Sequence, residues 1–321
     1  MKQSYYNSHT HTGIQPVRVL KWNVAHQLEH THPQFMAEFN KLLADHGLQP
    51  AINYDCRELP ILNAASPNDS LVPYVNSQKE VTIQETFLSY VWAMCYSLLV
   101  IFGEDVEKPQ HNFLLKTNHK IDVAALKGAR QLFSYGMSLI KSYSAWNKAL
   151  LPNPEEYSQD EQYYIEKANG LFRIAVGFIL CHEYAHIKLG HLDYRQTYIS
   201  NCDSVVDECK ADLDALTSML KGISDRQSKV TTEVGILFGL CSLVLLKAEI
   251  QNPRHPDSDD RIETLLRQLN LDDTSPIWGF ASLCFKLWDN HYQRQLIWPS
   301  QVEHFNELFY AIFDQLKAQK S

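Results

Sequence analysis

A bilayer-spanning helix needs about 20 consecutive apolar residues, and no run in this 321-residue chain reaches that length. The run Val234–Leu246 stops at 13 residues and contains two glycines and a serine, which points to a core helix and no membrane role. The N-terminal "MKQSYYNSHTHTGIQP" lacks the apolar stretch of a secretory signal. Basic residues are in deficit, 29 Lys and Arg against 37 Asp and Glu, for a net charge of -8. No basic patch or stripe of the kind that binds nucleic acid is present. There is no C-x-x-C pair among the seven cysteines, an odd number scattered from Cys56 to Cys284. They read as small buried hydrophobes in a reducing cytoplasm. Internal repeats and low-complexity segments are also missing.

What remains is an ordinary globular composition, 45% hydrophobic and 21% charged, long enough to bury a core without staples. Residues 1–84 differ from the rest. Pro50, Pro60, Pro67 and Pro73 punctuate short β-like pieces, "AINYD", "LVPYV" and "EVTIQ", and one helix is expected near "PQFMAEFNKLLADHG", capped at Gly47. The strand in "EVTIQ", Glu80–Gln84, is expected to offer an open edge to an extended substrate segment. From Glu85 onward helical periodicity dominates. "ETFLSYVWAMCYSLLVIFG" is apolar nearly all round and therefore central. An amphipathic helix is expected in 121–150, a loop at "PNPEEYSQD", and a long helix from about Gln162 through "LCHEYAHIKLGH". Further helices are expected near Val205–Lys221, Thr231–Ile250, Asp257–Leu269, Trp278–Tyr292 and Gln301–Lys317. The expected fold is mainly α with a small β-sheet from the N-terminal part. Its organisation is a mixed segment, 1–84, packed on a helical catalytic domain, 85–321.

The chemistry concentrates in Leu180–His191. His182 and His186 stand at i and i+4, so a helix puts both rings on one face, where two imidazoles can ligate one tetrahedral zinc. Glu183, rotated by one residue, can reach a water at the metal without ligating it, as a general base does in the H-E-x-x-H arrangement. The apolar lead-in "LFRIAVGFILC" pulls this cluster inside, where an unpaired polar group is costly. A third ligand is needed. Glu208 in "VVDECKADLDAL" can supply it, and Asp212, one turn on, can accept the second N–H of His182. Asp207 is the main rival of Glu208. His191 is the other rival, but the spacing of a third histidine ligand fails, because Leu189 and Leu192 stand where a glycine and a histidine belong; Gly190 should swing His191 off the face. In "NPRHPDSDDRIETL", His255 is the candidate donor to the oxyanion. Arg261 can orient His255, pair with an acidic neighbour, or hold substrate carbonyls. The histidines at His9–His11 and His26–His32 have no partner carboxylates at useful spacing and read as surface features.

The order "HEYAH", "ECKAD", "HPDSDDRI" resembles the gluzincin arrangement H-E-x-x-H … E-x-x-A-D … H-P-x-x-x-x-R, and more closely the Lit-like phage-exclusion peptidases. The similarity extends over about Glu85–Leu269 and includes "SYVWAMCYSLLV" and "SAWNKALLPNPEEY". It implies a minigluzincin-like zinc metallopeptidase with zinc ligands His182, His186 and Glu208 and Glu183 as general base. It also implies His255 and Arg261 on the substrate side. Further implications are a cytoplasmic bacterial protein of antiviral defence, elongation factor Tu as the target, and a phage-derived activator. Two other roles stay open at this level: a regulatory ImmA-like peptidase that cuts a repressor, and a non-enzymatic zinc-containing sensor or binding module. No helix-turn-helix partner is fused to the chain to favour the first. Retention of Glu183 beside the ligands argues against the second.

Overall fold

A computed structural model of the protein describes residues 2–21, 37, 41, 52–62, 72–75, 81–191, 200–251, 255–299 and 302–320. It is mainly helical with a small sheet from the N-terminal part, as the sequence indicates. The helix expected near "PQFMAEFNKLLADHG", the Gly47 cap and the histidines at 26–32 lie outside the described residues, apart from Ala37 and Lys41, which are helical.

Strand β1 (Gln3–Ser4) pairs antiparallel with β5 (Glu156–Tyr157), and tethers the N-terminal segment to the loop before the longest helix. Arg18 strengthens that tether with a bidentate pair to the buried Glu155 carboxylate, at 2.8 and 3.0 Å. A second sheet has the order β2-β4-β3, with β2 (Ile52–Asp55) parallel and β3 (Tyr74–Val75) antiparallel to β4 (Val81–Gln84). The expectation of an open edge at Glu80–Gln84 is therefore corrected. Val81, Ile83 and Gln84 are buried, and β4 is covered on both sides by its neighbours. Val81 and Ile83 are interior apolar anchors, so this strand takes the middle of the sheet and the two-residue β3 becomes the edge.

β4 runs directly into α1 (Glu85–Ile101), all of whose residues except Leu99 are buried. A π-helical turn, Phe102–Glu107, and α2 (Lys108–Leu115) continue the same axis. The combined Glu85–Leu115 helix is long and apolar enough to cross a bilayer by length and composition, yet 89% of its most apolar stretch is buried inside the protein, as in a core helix. The carboxylate of Glu104 in the π turn is fully buried. It accepts from Lys108 Nζ at 2.7 Å, from the Asp122 N–H at 2.7 Å and from the Tyr164 hydroxyl. One group thus ties α1, α3 (Val123–Ser138) and α4 (Gln159–Lys188) together. α3 is shorter than the amphipathic pattern suggests, because Leu139 onward turns away to pair its carbonyls with Ile61 and Leu62.

α4 is 30 residues long and starts in the stretch expected to be loop. The Glu161 carboxylate accepts from both the N–H and the hydroxyl of Ser158, each at 2.8 Å, and closes the first turn. Its apolar centre packs on α6 (Arg226–Val244), α5 (Asn201–Leu220) and α1. α7 (Ser258–Leu269), α8 (Pro276–Tyr292) and α9 (Phe305–Lys320) complete the helical layer. The crossing of α4 and α6 is close because Gly235 and Gly239 face it. A Cβ on Gly235 would stand 2.5 Å from Ile174 Cγ2, and one on Gly239 would stand 3.1 Å from the Ala175 carbonyl oxygen.

Gly170 lies on the other helix of the pair, α4, and a Cβ there meets nothing within 4 Å. The two glycines should therefore respond oppositely to substitution. Gly170→Ala is expected to raise unfolding free energy by about 1 kcal/mol through helix propensity. Gly235→Val is expected to lower it by about 2 kcal/mol, since overpacking outweighs the propensity gain. Denaturant midpoints of the two variants against the parent check both signs.

Candidate metal centre

The last two turns of α4 carry His182, Glu183 and His186, and the middle of α5 carries Glu208 and Asp212. Packing of α4 on α5 brings the two sets face to face. His182 Nε2 lies 3.1 Å from Glu208 Oε2, His186 Nε2 lies 3.4 Å from Glu208 Oε1, and the two Nε2 atoms are 3.3 Å apart. All three residues are buried. Ligand atoms held about 2.0–2.1 Å from a tetrahedral zinc lie about 3.3 Å from one another. The observed triangle has that size, and its donor set, two imidazole nitrogens and a carboxylate oxygen, is one that zinc takes. The residues present thus fit a divalent metal.

The supports behind the triangle are equally specific. Asp212 Oδ1 stands 2.8 Å from His182 Nδ1, and Arg261 donates to both oxygens of Asp212, at 2.7 and 2.6 Å. Of the three roles open to Arg261, the geometry shows pairing with an acidic neighbour: it fixes Asp212, which in turn fixes His182. His255 stands at the mouth, with 48% of its side chain exposed and Nδ1 3.2 Å from Glu208 Oε2. Asp207, the rival ligand, is not part of the triangle, and neither is His191. They face each other at 3.5 Å between Asp207 Oδ1 and His191 Nε2.

Electrostatics separate the carboxylates. Burial pushes the Glu208 carboxyl up, but hydrogen bonds to His182, His186 and His255 outweigh it and hold the group far below the usual carboxylate range. Burial acts the same way on Asp212 and is overcome by Arg261 and His182, so this carboxyl is also held well below its ordinary value. Glu183 goes the other way. Burial raises it, and the neighbouring imidazoles only partly offset that. Burial disfavours the charged form of His182, yet Asp212 and Glu208 outweigh it and raise the ring to about 9.

The site opens into a cleft of about 390 Å³. Phe178 and Ile179 from α4, and Leu243, Leu246 and Ile250, line it. The edge strand β3, with Val72 and Pro73, lines it too. The Val75 backbone N–H donates to Glu183 Oε2 at 2.9 Å. Sequence reasoning missed this contact, since a backbone amide 108 residues away leaves no trace in side-chain spacing. A second acidic group, Asp257, Asp259 and Asp260, is already paired with Lys317 and Lys320, so it has its cations built in.

Residues 81–281, more than half of the chain, match a family model described as Peptidase U49. Neither the curated proteins nor the solved structures give a match. The matched span contains the α4 and α5 residues of the triangle, Glu183, Asp212, His255 and Arg261.

Two outcomes are expected for metal binding. Asp212→Ala should weaken zinc affinity about 10–100-fold, measured by chelator competition, because the tautomer and orientation of His182 are no longer fixed. Without metal, His182 holds a proton below about pH 9, and zinc must displace it. Apparent affinity should therefore rise with pH, by up to about tenfold per unit, and flatten above about pH 9.

Proposed function

Since the chain belongs to the Peptidase U49 family, we propose that it is a zinc-dependent endopeptidase of antiviral defence. It works in the cytoplasm on a protein substrate, binding neither nucleic acid nor membrane, and a phage-derived component releases its activity. Elongation factor Tu is the target implied by the resemblance of "HEYAH", "ECKAD" and "HPDSDDRI" to the Lit-like peptidases. The observation that carries the reading is the buried triangle of His182, His186 and Glu208 with Glu183 beside it in one cleft.

His182, His186 and Glu208 would hold the metal. When bound, zinc supplies a Lewis acid that lowers the pKa of a water molecule and polarises the scissile carbonyl. Glu183 accepts the proton of that water and later passes it to the departing amine. Two features suit it to this work. Burial raises its proton affinity toward the range where a base is useful at neutral pH, and the Val75 N–H at 2.9 Å keeps its carboxylate aimed into the cleft. His255, half-exposed at the mouth, is placed to donate to the carbonyl oxygen as it gains negative charge. Arg261 serves from behind, by holding Asp212. The apolar residues that line the cleft suit apolar substrate side chains.

A non-enzymatic sensor would need only the three ligands. The raised Glu183 carboxyl, held in line by a backbone amide, has no purpose in such a module.

The test uses the purified chain with zinc and a cytosolic extract that contains elongation factor Tu, with and without phage components. Mass spectrometry should find one new cleavage site. Glu183→Gln should bind zinc as the parent does and lose turnover by about 10²–10⁴-fold, the range for removing a general base. Cleavage by this variant at the parental rate would reject Glu183 as the base. Cleavage of a different protein would reject the target and leave the chemistry standing.

A further inference from the structure

The two histidine ligands are supported in different ways. Behind His182 stands the carboxylate of Asp212. Behind His186 stands another imidazole: His186 Nδ1 is 2.9 Å from His191 Nδ1, with ring centroids 5.1 Å apart and planes at 64°. His191 is 2% exposed, and its far nitrogen faces Asp207 Oδ1 at 3.5 Å. Asp207 is itself buried and directly precedes the ligand Glu208 on α5.

Local backbone geometry delivers His191 to this position. α4 ends at Lys188, and the N–H of Leu189 and of Gly190 close the last turn on Ala185 and Ile187. Gly190 has φ 70°, a left-handed conformation that reverses the chain. The reversal takes His191 away from the ligand face, as its sequence position suggests, and tucks it under the ring of His186.

Two imidazole nitrogens 2.9 Å apart share one proton, and the ligand role decides which of them carries it. His186 Nε2 faces Glu208 and His182, so its lone pair belongs to the metal side. The proton of His186 then sits on Nδ1 and is donated to the lone pair of His191 Nδ1. His191 is left with its own proton on Nε2, on the side of the Asp207 carboxylate. Each step has one permitted direction, so the tautomer a ligand needs at His186 matches the negative charge of Asp207, 3.5 Å from the far nitrogen of His191. We infer that His191 and Asp207 are positioning residues that fix the tautomer and orientation of His186 for metal binding. The inference rests on the metal-site reading above and extends it to two residues outside the metal triangle.

The experiment measures zinc affinity of the full chain by chelator competition, together with thermal stability of the metal-free protein. Parent, His191→Phe, His191→Asn and Asp207→Asn are compared. Phenylalanine fills the space without an acceptor, whereas asparagine returns an oxygen close to where Nδ1 stood. His191→Phe should lose about 10–100-fold in zinc affinity. His191→Asn should recover most of that loss, and Asp207→Asn should lose less than His191→Phe. Metal-free melting temperatures should not follow this order, which separates positioning from general loss of structure. Parental affinity in His191→Phe, or equal losses in the phenylalanine and asparagine variants, would overturn the inference. A parent that binds no zinc would instead bring down the metal-site reading and this inference with it. Side-chain 15N–1H spectra of the zinc-loaded parent need no variant to fold. They should show His186 protonated on Nδ1 and His191 on Nε2, and the reverse tautomers would overturn the inference.

Discussion

A carboxylate buried among three imidazoles is the constraint around which the site is organised. Glu208 lies within 3.1–3.4 Å of nitrogens from His182, His186 and His255, almost wholly out of water. An ionised carboxylate in such a place is tolerable only if positive charge stands next to it, whether from protonated imidazoles or from a metal. Without metal, the raised His182 supplies that charge. A protonated imidazole and a divalent ion would therefore be alternatives at one place. The arrangement follows from helix pitch: two rings one turn apart on α4 leave a gap that one carboxylate from α5 fills.

The rest of the fold keeps that gap from relaxing. α4 is clamped by α6 through a close approach at Gly235 and Gly239, and by α1, whose side chains are nearly all buried. Because the apolar centre of α4 lies just before His182, the same packing that stabilises the core sets the height of the histidines above it. Behind the ligands, one support runs from His182 through Asp212 to the Arg261 guanidinium on α7, and another from His186 through His191 to Asp207 on α5. Three helices thus contribute to the position of two rings. The cleft is completed by the other part of the chain, since β3 lines it and donates to Glu183 through the Val75 amide.

How far the sequence shows this depends on whether a feature is local. The i, i+4 pair His182 and His186 and the pair Glu208 and Asp212 can be read because helix geometry alone puts their members on one face. That Asp212 stands at the second nitrogen of His182 follows from the same one-turn offset. Arg261 is different. Its partner could have been His255, an acid or a substrate carbonyl, and only the placement of α7 against α5 selects Asp212. His191 is visible as a histidine five residues after a ligand, but its contact with His186 depends on the φ of Gly190, which a residue name permits without requiring. For the fold, α1 is legible from its all-round apolarity, while α2, with no buried residue, carries no periodicity to read. The order β2-β4-β3 is fixed by long-range pairing, so β4, whose sequence alone suggests an edge, is in fact the centre.

The roles of the carboxylates follow from their surroundings more than from their identity. Glu183 and Glu208 are the same side chain in the same cleft. Glu208 is met by three imidazoles and stays ionised, which suits a ligand. Glu183 is met mainly by apolar burial and one amide N–H, and its proton affinity rises, which suits a base. Pushing the two apart is the pattern by which one site holds both a permanent anion and a group that exchanges protons near neutrality. Burial is what raises Glu183, and Phe178 and Ile179 of the same helix line the same cleft, so the core helix that presents His182 and His186 to Glu208 also presents the carboxyl whose proton affinity rises.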